Sequence, residues 1–167
     1  GYRLFALNDD TNYKPEGERG SGFSDDCMAW IMEQLEDAKK NDPFVIAMTH
    51  HPMISPSPFY NIIGGGNMQR NYETTREIFA DAGLSCMLTG HTHVHDISDI
   101  TTKKGNKFYD ITCGALIGCP PVMRNVTFDP KNSKIDVYTV FVDNVDGLDT
   151  DGKSFPDYMK NFFFGMI

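Results

Sequence analysis

At 167 residues with 40% hydrophobic, 23% charged and 12% aromatic residues, the chain holds enough apolar material for a core and no low-complexity tract, which excludes a disordered protein. A formal net charge of −8 and an isoelectric point near 4.9 argue against a surface that holds nucleic acid by displacing counterions. No apolar run approaches the ~18 residues of a membrane span, and a phosphate-bearing small molecule stays open as a ligand if metal ions supply the positive charge.

Tyr2 to Leu7 reads as a short strand ending at Asn8-Asp9-Asp10, and Thr11 to Gly22 as a polar Gly/Pro loop. Ser24 is placed to cap a helix, Asp25 and Asp26 suit the positive end of its dipole, and Met28, Ile31, Leu35 and Ala38 recur at helical spacing until Lys39, Lys40 and Pro43 close it. Phe44-Val45-Ile46-Ala47-Met48 has the pattern of a strand buried on both faces, and it runs straight into Thr49-His50-His51-Pro52. Past a loop with Gly64-Gly65-Gly66, Tyr72 to Ala82 reads as a second helix, with Asn71 to cap its start and Gly83 to end it. A second apolar run, Leu84 to Leu88, then meets Thr89-Gly90-His91-Thr92-His93.

Polar residues just past each strand of a strand–helix–strand repeat are how open α/β sheets place their sites. Beyond His93 the pattern changes to alternation in Lys107 to Cys113, Val122 to Asp129 and Ile135 to Val142, which predicts an antiparallel meander and hence a mixed sheet. Phe155 to Phe164 reads as a closing helix.

The four cysteines show no C-x-x-C pair, and Cys27, Cys86 and Cys113 sit in or beside apolar surroundings. Reduced thiols are the expectation, which favours a reducing compartment such as the cytoplasm. Gly1 is no natural start and Asn161 to Ile167 stops in an apolar stretch, so both ends read as cut.

His50, His91 and His93 carry the chemistry, because neutral imidazole ligates transition metals and these three follow adjacent buried strands. On an extended segment His91 and His93 project the same way, whereas on a turn they diverge enough to serve two neighbouring ions. His95, Asp96 and Asp99 are candidates to orient a ligand imidazole from behind, or else solvated loop residues. Gly64-Gly65-Gly66 lacks the Lys-Ser/Thr of a P-loop, and Arg70 reads as a surface arginine before a helix. Asp143, Asp146, Asp149 and Asp151 fail the EF-hand pattern, since setting Gly152 at the glycine puts Gly147 at the first ligand and Tyr158 at the last.

Thr49-His50-His51-Pro52 and Gly90-His91-Thr92-His93 resemble the last two signature blocks of the calcineurin-like metallophosphoesterases, and the strand-to-Asp9 opening and Phe23 to Leu35, with Trp30 and Leu35, resemble the stretch before the first of those blocks. The resemblance implies that His50 and His91 ligate one metal and His93 the other, with His51 a non-ligand partner. It implies two divalent ions, manganese, iron or zinc, in the parent protein and a phosphate-ester substrate. The family's D-x-H, G-D-x-x-D and G-N-H-D/E blocks have no counterpart here.

The expectation is therefore an α/β chain with a mixed sheet and flanking helices. Residues 1–167 would form the C-terminal half of a four-layer α/β/β/α metallophosphoesterase sandwich. The parent would hydrolyse phosphate mono- or diesters. The isolated chain would bind metal weakly or partially, lack activity, and self-associate through the sheet face that the missing half covers. The competing expectation is a standalone metal-binding or interaction module without catalysis.

Overall fold

Strand and helix starts follow local chemistry closely in the computed structural model, which describes residues 2–10, 21–42, 44–58, 60 and 67–165. The Gly64 to Gly66 loop and most of the Thr11 to Gly22 loop lie outside the described residues. β1 spans Arg3–Ala6. Helix α1 spans Asp25–Asn41; Ser24 Oγ accepts from the Cys27 N–H at 3.2 Å, and the Asp42 N–H closes the last turn on the Ala38 carbonyl. One stripe of α1, Ile31, Leu35 and Ala38, is buried, and the first two each contribute roughly 1.5–3 kcal/mol by leaving water.

β2 is Val45–Met48, α2 is Tyr72–Asp81 and β3 is Cys86–Thr89. Gly83 ends α2 as expected, at φ 99°, where its N–H reaches the Ala80 carbonyl. Asn71 departs from expectation. It sits in the left-handed region at φ 56° and makes no side-chain cap bond, so α2 begins from a tight turn.

Four further strands follow: β4 Asp96–Thr101, β5 Lys107–Thr112, β6 Val122–Asp129 and β7 Lys134–Phe141. The predicted single meander is corrected in two ways. β5 enters the main sheet, parallel to β3, and the unpredicted β4 closes the edge antiparallel to it, giving the order β1-β2-β3-β5-β4. β6 and β7 form a separate two-stranded hairpin. The sheet is mixed, mostly parallel and flanked by helices.

Alternation along the strands divides the sheet into two faces. Phe5, Ala47, Met87 and Phe108 pack with Ile31 and Leu35 of α1 and Phe79 of α2 in the principal core. The β6–β7 hairpin stands over part of the other face, where the Phe44 and Phe128 rings meet at 6.4 Å. A cavity of about 440 Å³ separates Cys86, Ile97, Tyr109 and Ile111 of the sheet from Ile135 and Val137 of the hairpin. Leu4 and Met48, alternating with core residues on β1 and β2, are 49% and 45% exposed, whereas Ile46 and Ala47, on opposite faces of β2, are both 0% exposed, so β2 is buried on both faces except at its carboxyl end. The last helix, α3, spans Phe155–Gly165 and buries Phe155 and Met159. Among the described residues no helix is long and apolar enough to cross a membrane.

Candidate metal centre

Parallel pairing brings the histidine-bearing turns side by side. β2 and β3 are in register at Met48 and Leu88, and the ladder runs on past their ends through Thr49 N–H to Leu88 carbonyl and Gly90 N–H to His50 carbonyl. His50 and His91 therefore leave neighbouring strands at the same level. His91 Nδ1 lies 2.9 Å from His50 Nε2, and the His51 ring packs against His91 with centroids 4.1 Å apart. One ligand atom from each of His50, His51 and His91 falls within 4.8 Å of the others.

The segment that carries His91 is not extended. His91 and His93 both adopt left-handed backbone, at φ 59° and 57°, a conformation that costs a non-glycine residue of order 1 kcal/mol and concentrates at functional sites. The chain turns at each of them, His91 facing His50 while His93 is exposed and lies outside the three-histidine group. The Tyr60 hydroxyl donates to the Thr92 carbonyl between them at 3.1 Å.

A buried carboxylate that sequence reasoning treated only as a strand end organises the cluster from below. Asp9, three residues past the end of β1 and 1% exposed, accepts the backbone N–H groups of His50 at 3.3 Å and His51 at 3.0 Å. Its Oδ2 also lies 3.2 Å from His51 Nδ1, so that nitrogen carries the proton and donates, and Nε2 is left as the acceptor. Burial pushes the Asp9 carboxyl up, but the bonds from the His51 side chain and backbone outweigh it and hold the group below its ordinary value. Burial, and then the neighbouring His51, His50 and His93, push the His91 imidazole down, which favours the neutral form that a metal requires.

The other candidates lie elsewhere. His95 Nδ1 accepts the Gly114 N–H at 3.1 Å and its Nε2 meets Thr139 Oγ1 at 2.9 Å, tying the turn after β3 to β7 rather than to the cluster. Asp96 bonds the Ser98 hydroxyl and Asp99 pairs with Lys107, and both belong to β4 rather than to a loop. Arg70 is exposed at the entry to α2. All four cysteines are free; Cys86 is buried, its thiol pushed up to about 12 by desolvation and Asp110, whereas Cys119 is exposed.

The family model for calcineurin-like phosphoesterases matches residues 2–95, more than half of the chain, and the match takes in β1, both histidine turns and the helices between. The chain belongs to the calcineurin-like phosphoesterase family. No curated protein matches it. Phosphoesterase chemistry and the use of divalent metals are general features of that family.

The histidines fit such an ion. Two imidazole nitrogens on one tetrahedral ion with ~2.1 Å bonds stand about 3.4 Å apart. The His50–His91 separation of 2.9 Å needs only slight opening to admit it. Imidazole donors suit zinc and iron.

Proposed function

We propose that this chain supplies the histidine part of a dinuclear metal centre that hydrolyses a phosphate mono- or diester. The observation that carries the reading is the contact between His50 Nε2 and His91 Nδ1 at the carboxyl ends of adjacent parallel strands, in a chain of this family. His50 and His91 hold one ion, exposed His93 reaches toward a second, and His51, fixed by Asp9, forms the wall against which His91 packs. When bound, divalent ions of this kind neutralise phosphoryl oxygens and acidify a water. The net charge of −8 makes the substrate's recognition depend on those ions rather than on protein cations.

Three imidazoles spread over two ions fall short of the three protein ligands a catalytic metal normally keeps. The remaining ligands therefore come from another segment bearing the D-x-H, G-D-x-x-D and G-N-H-D/E blocks, and residues 1–167 form the C-terminal portion of the complete domain. The exposed strip of Tyr2, Leu4 and Met48 supports this, because it is apolar sheet surface without a cover among the described residues. Alone, the chain self-associates through that strip.

The test is titration of the purified chain with manganese or zinc, alongside turnover of a nitrophenyl phosphodiester. Weak binding that disappears in His91→Ala, without turnover, is expected. Turnover by the wild-type chain that His91→Ala abolishes would show that no further ligands are needed. Sedimentation at micromolar concentration should find dimers or larger species. A monomer with no dye-accessible apolar surface would favour a standalone metal-binding or interaction module.

A further inference from the structure

Between His50 and Ile54 four residues carry a backbone N–H, Pro52 having none, and all four of those groups end on one of two buried carboxylates. Asp9 takes His50 and His51. Asp110, on β5 and 0% exposed, takes Met53 at 2.6 Å and Ile54 at 2.9 Å on its Oδ2. Its Oδ1 accepts the hydroxyl of Thr89, the last residue of β3, and that of Thr112 at 3.4 Å. One side chain thus grips the turn three residues after His50 and the strand end two residues before His91. It touches neither imidazole.

Three of the loop's five carbonyls are held as well: His50 accepts from Gly90, Pro52 from the Gln69 N–H, and Met53 from Arg76. The two carboxylates are thus the anchors for every backbone N–H of the turn. An ionisable group is a costly anchor in an apolar interior, and burial raises the Asp110 carboxyl to about 6 against the bonds it accepts. Between Phe108 and Ile111 an apolar residue would serve packing alone, but it would leave two buried N–H groups without partners and would cut the link from Thr89 to the turn.

We propose that Asp110 is a positioning residue of the histidine site: by joining the Met53–Ile54 turn to Thr89 it sets the spacing of His50 and His91, and with it their affinity for a divalent cation. The affinity part rests on the metal reading given above; the spacing part does not. Asp110 acts at a distance, through backbone, and contributes no ligand atom.

The experiment uses the whole chain, with Co²⁺ alone as probe followed by its visible absorbance, and nitrogen–proton spectra of the histidine rings before metal is added. Asp110→Ala should weaken Co²⁺ binding about tenfold or more and shift the His50 and His91 ring signals. The His95 signal, whose ring bonds to Gly114 and Thr139, should stay in place, which general loosening of the fold would not allow. Asp110→Asn should restore affinity to within about threefold, since its amide oxygen can take both N–H groups and its amide nitrogen can donate to Thr89. Thr89→Val, which removes the Oδ1 link without changing shape, should weaken binding about threefold and provides the test if Asp110→Ala does not fold. A folded Asp110→Ala or Thr89→Val with wild-type ring spectra and wild-type Co²⁺ affinity would overturn the proposal, as would an Asn variant no better than Ala. A wild-type chain that never develops Co²⁺ absorbance would instead overturn the metal reading, and the metal-free ring spectra would still decide the positioning.

Discussion

Asp9 and Asp110 perform the same backbone task from opposite ends of one short turn, and their ionisation moves in opposite directions. Each is at most 1% exposed, and each accepts two consecutive backbone N–H groups. Burial pushes both carboxyls up. At Asp9 the His51 imidazole and backbone more than offset it, whereas at Asp110 the only donors are neutral hydroxyls and amides, and burial prevails. The difference teaches that a pair of amide donors does not by itself keep a buried carboxylate ionised; at Asp9 the hydrogen bond from the His51 ring tips the balance, and at Asp110 hydroxyl donors do not. It also divides the labour, Asp9 acting on a histidine ring and Asp110 on the strand ends that carry the rings.

The comparison breaks first, if it breaks, at Asp9→Ala. That change strands the His50 and His51 N–H groups and the His51 ring donor together, and should cost about 4 kcal/mol in urea unfolding. A loss below about 1 kcal/mol would mean that water or rearranged backbone takes over the bonds.

A sharper version uses pH. Asp110 rises from an ordinary 3.8 to about 6 in the folded chain, so the folded state binds the extra proton between those values. Its contribution is fully present below the ordinary value and is lost as pH rises through about 6. The stability of wild type minus that of Asp110→Asn should therefore fall across this window, by an amount on the order of 2 kcal/mol. Asp9 is lowered, so wild type minus Asp9→Asn should have the opposite slope, with stability present above the ordinary 3.8 and lost as pH falls below it. Two slopes of the same sign would refute the contrast.

The smallest effect is expected where neither aspartate is involved. Arg76 donates to the Met53 carbonyl at 3.1 Å, and Arg76→Leu, which keeps the aliphatic stem, should cost about 1 kcal/mol. It should leave both pH slopes unchanged, measured by the same unfolding series. A change in either slope would show that the turn's carbonyl side governs the carboxylates.

Local chemistry is where the sequence was most informative. Ser24 and the Ile31, Leu35, Ala38 stripe defined α1 because capping and helical periodicity act within a few residues. The apolar runs ending at Thr49 and Thr89 located the histidine turns for a similar reason: a buried parallel strand needs an unbroken apolar stretch, and its carboxyl end is where polar residues can emerge. Strand β4 escaped because Ile97 and Ile100 are three apart, which breaks the two-residue period that marks a half-buried strand. The alternation of β5 looked like that of β6 and β7, yet β5 pairs with β3 and the other two only with each other, a choice of partner that alternation does not encode.

The sequence by itself determined the helices, the strand ends that bear His50 and His91, and the family to which those ends belong. Only the tertiary structure decided that His50 and His91 touch, that His93 stands apart, and that Asp9 and Asp110 hold the turn between them. The physical reason is range. Caps and periodic faces are satisfied by neighbours a turn away, whereas a buried carboxylate takes whichever donors the fold delivers, here from residues 41 to 57 positions distant along the chain.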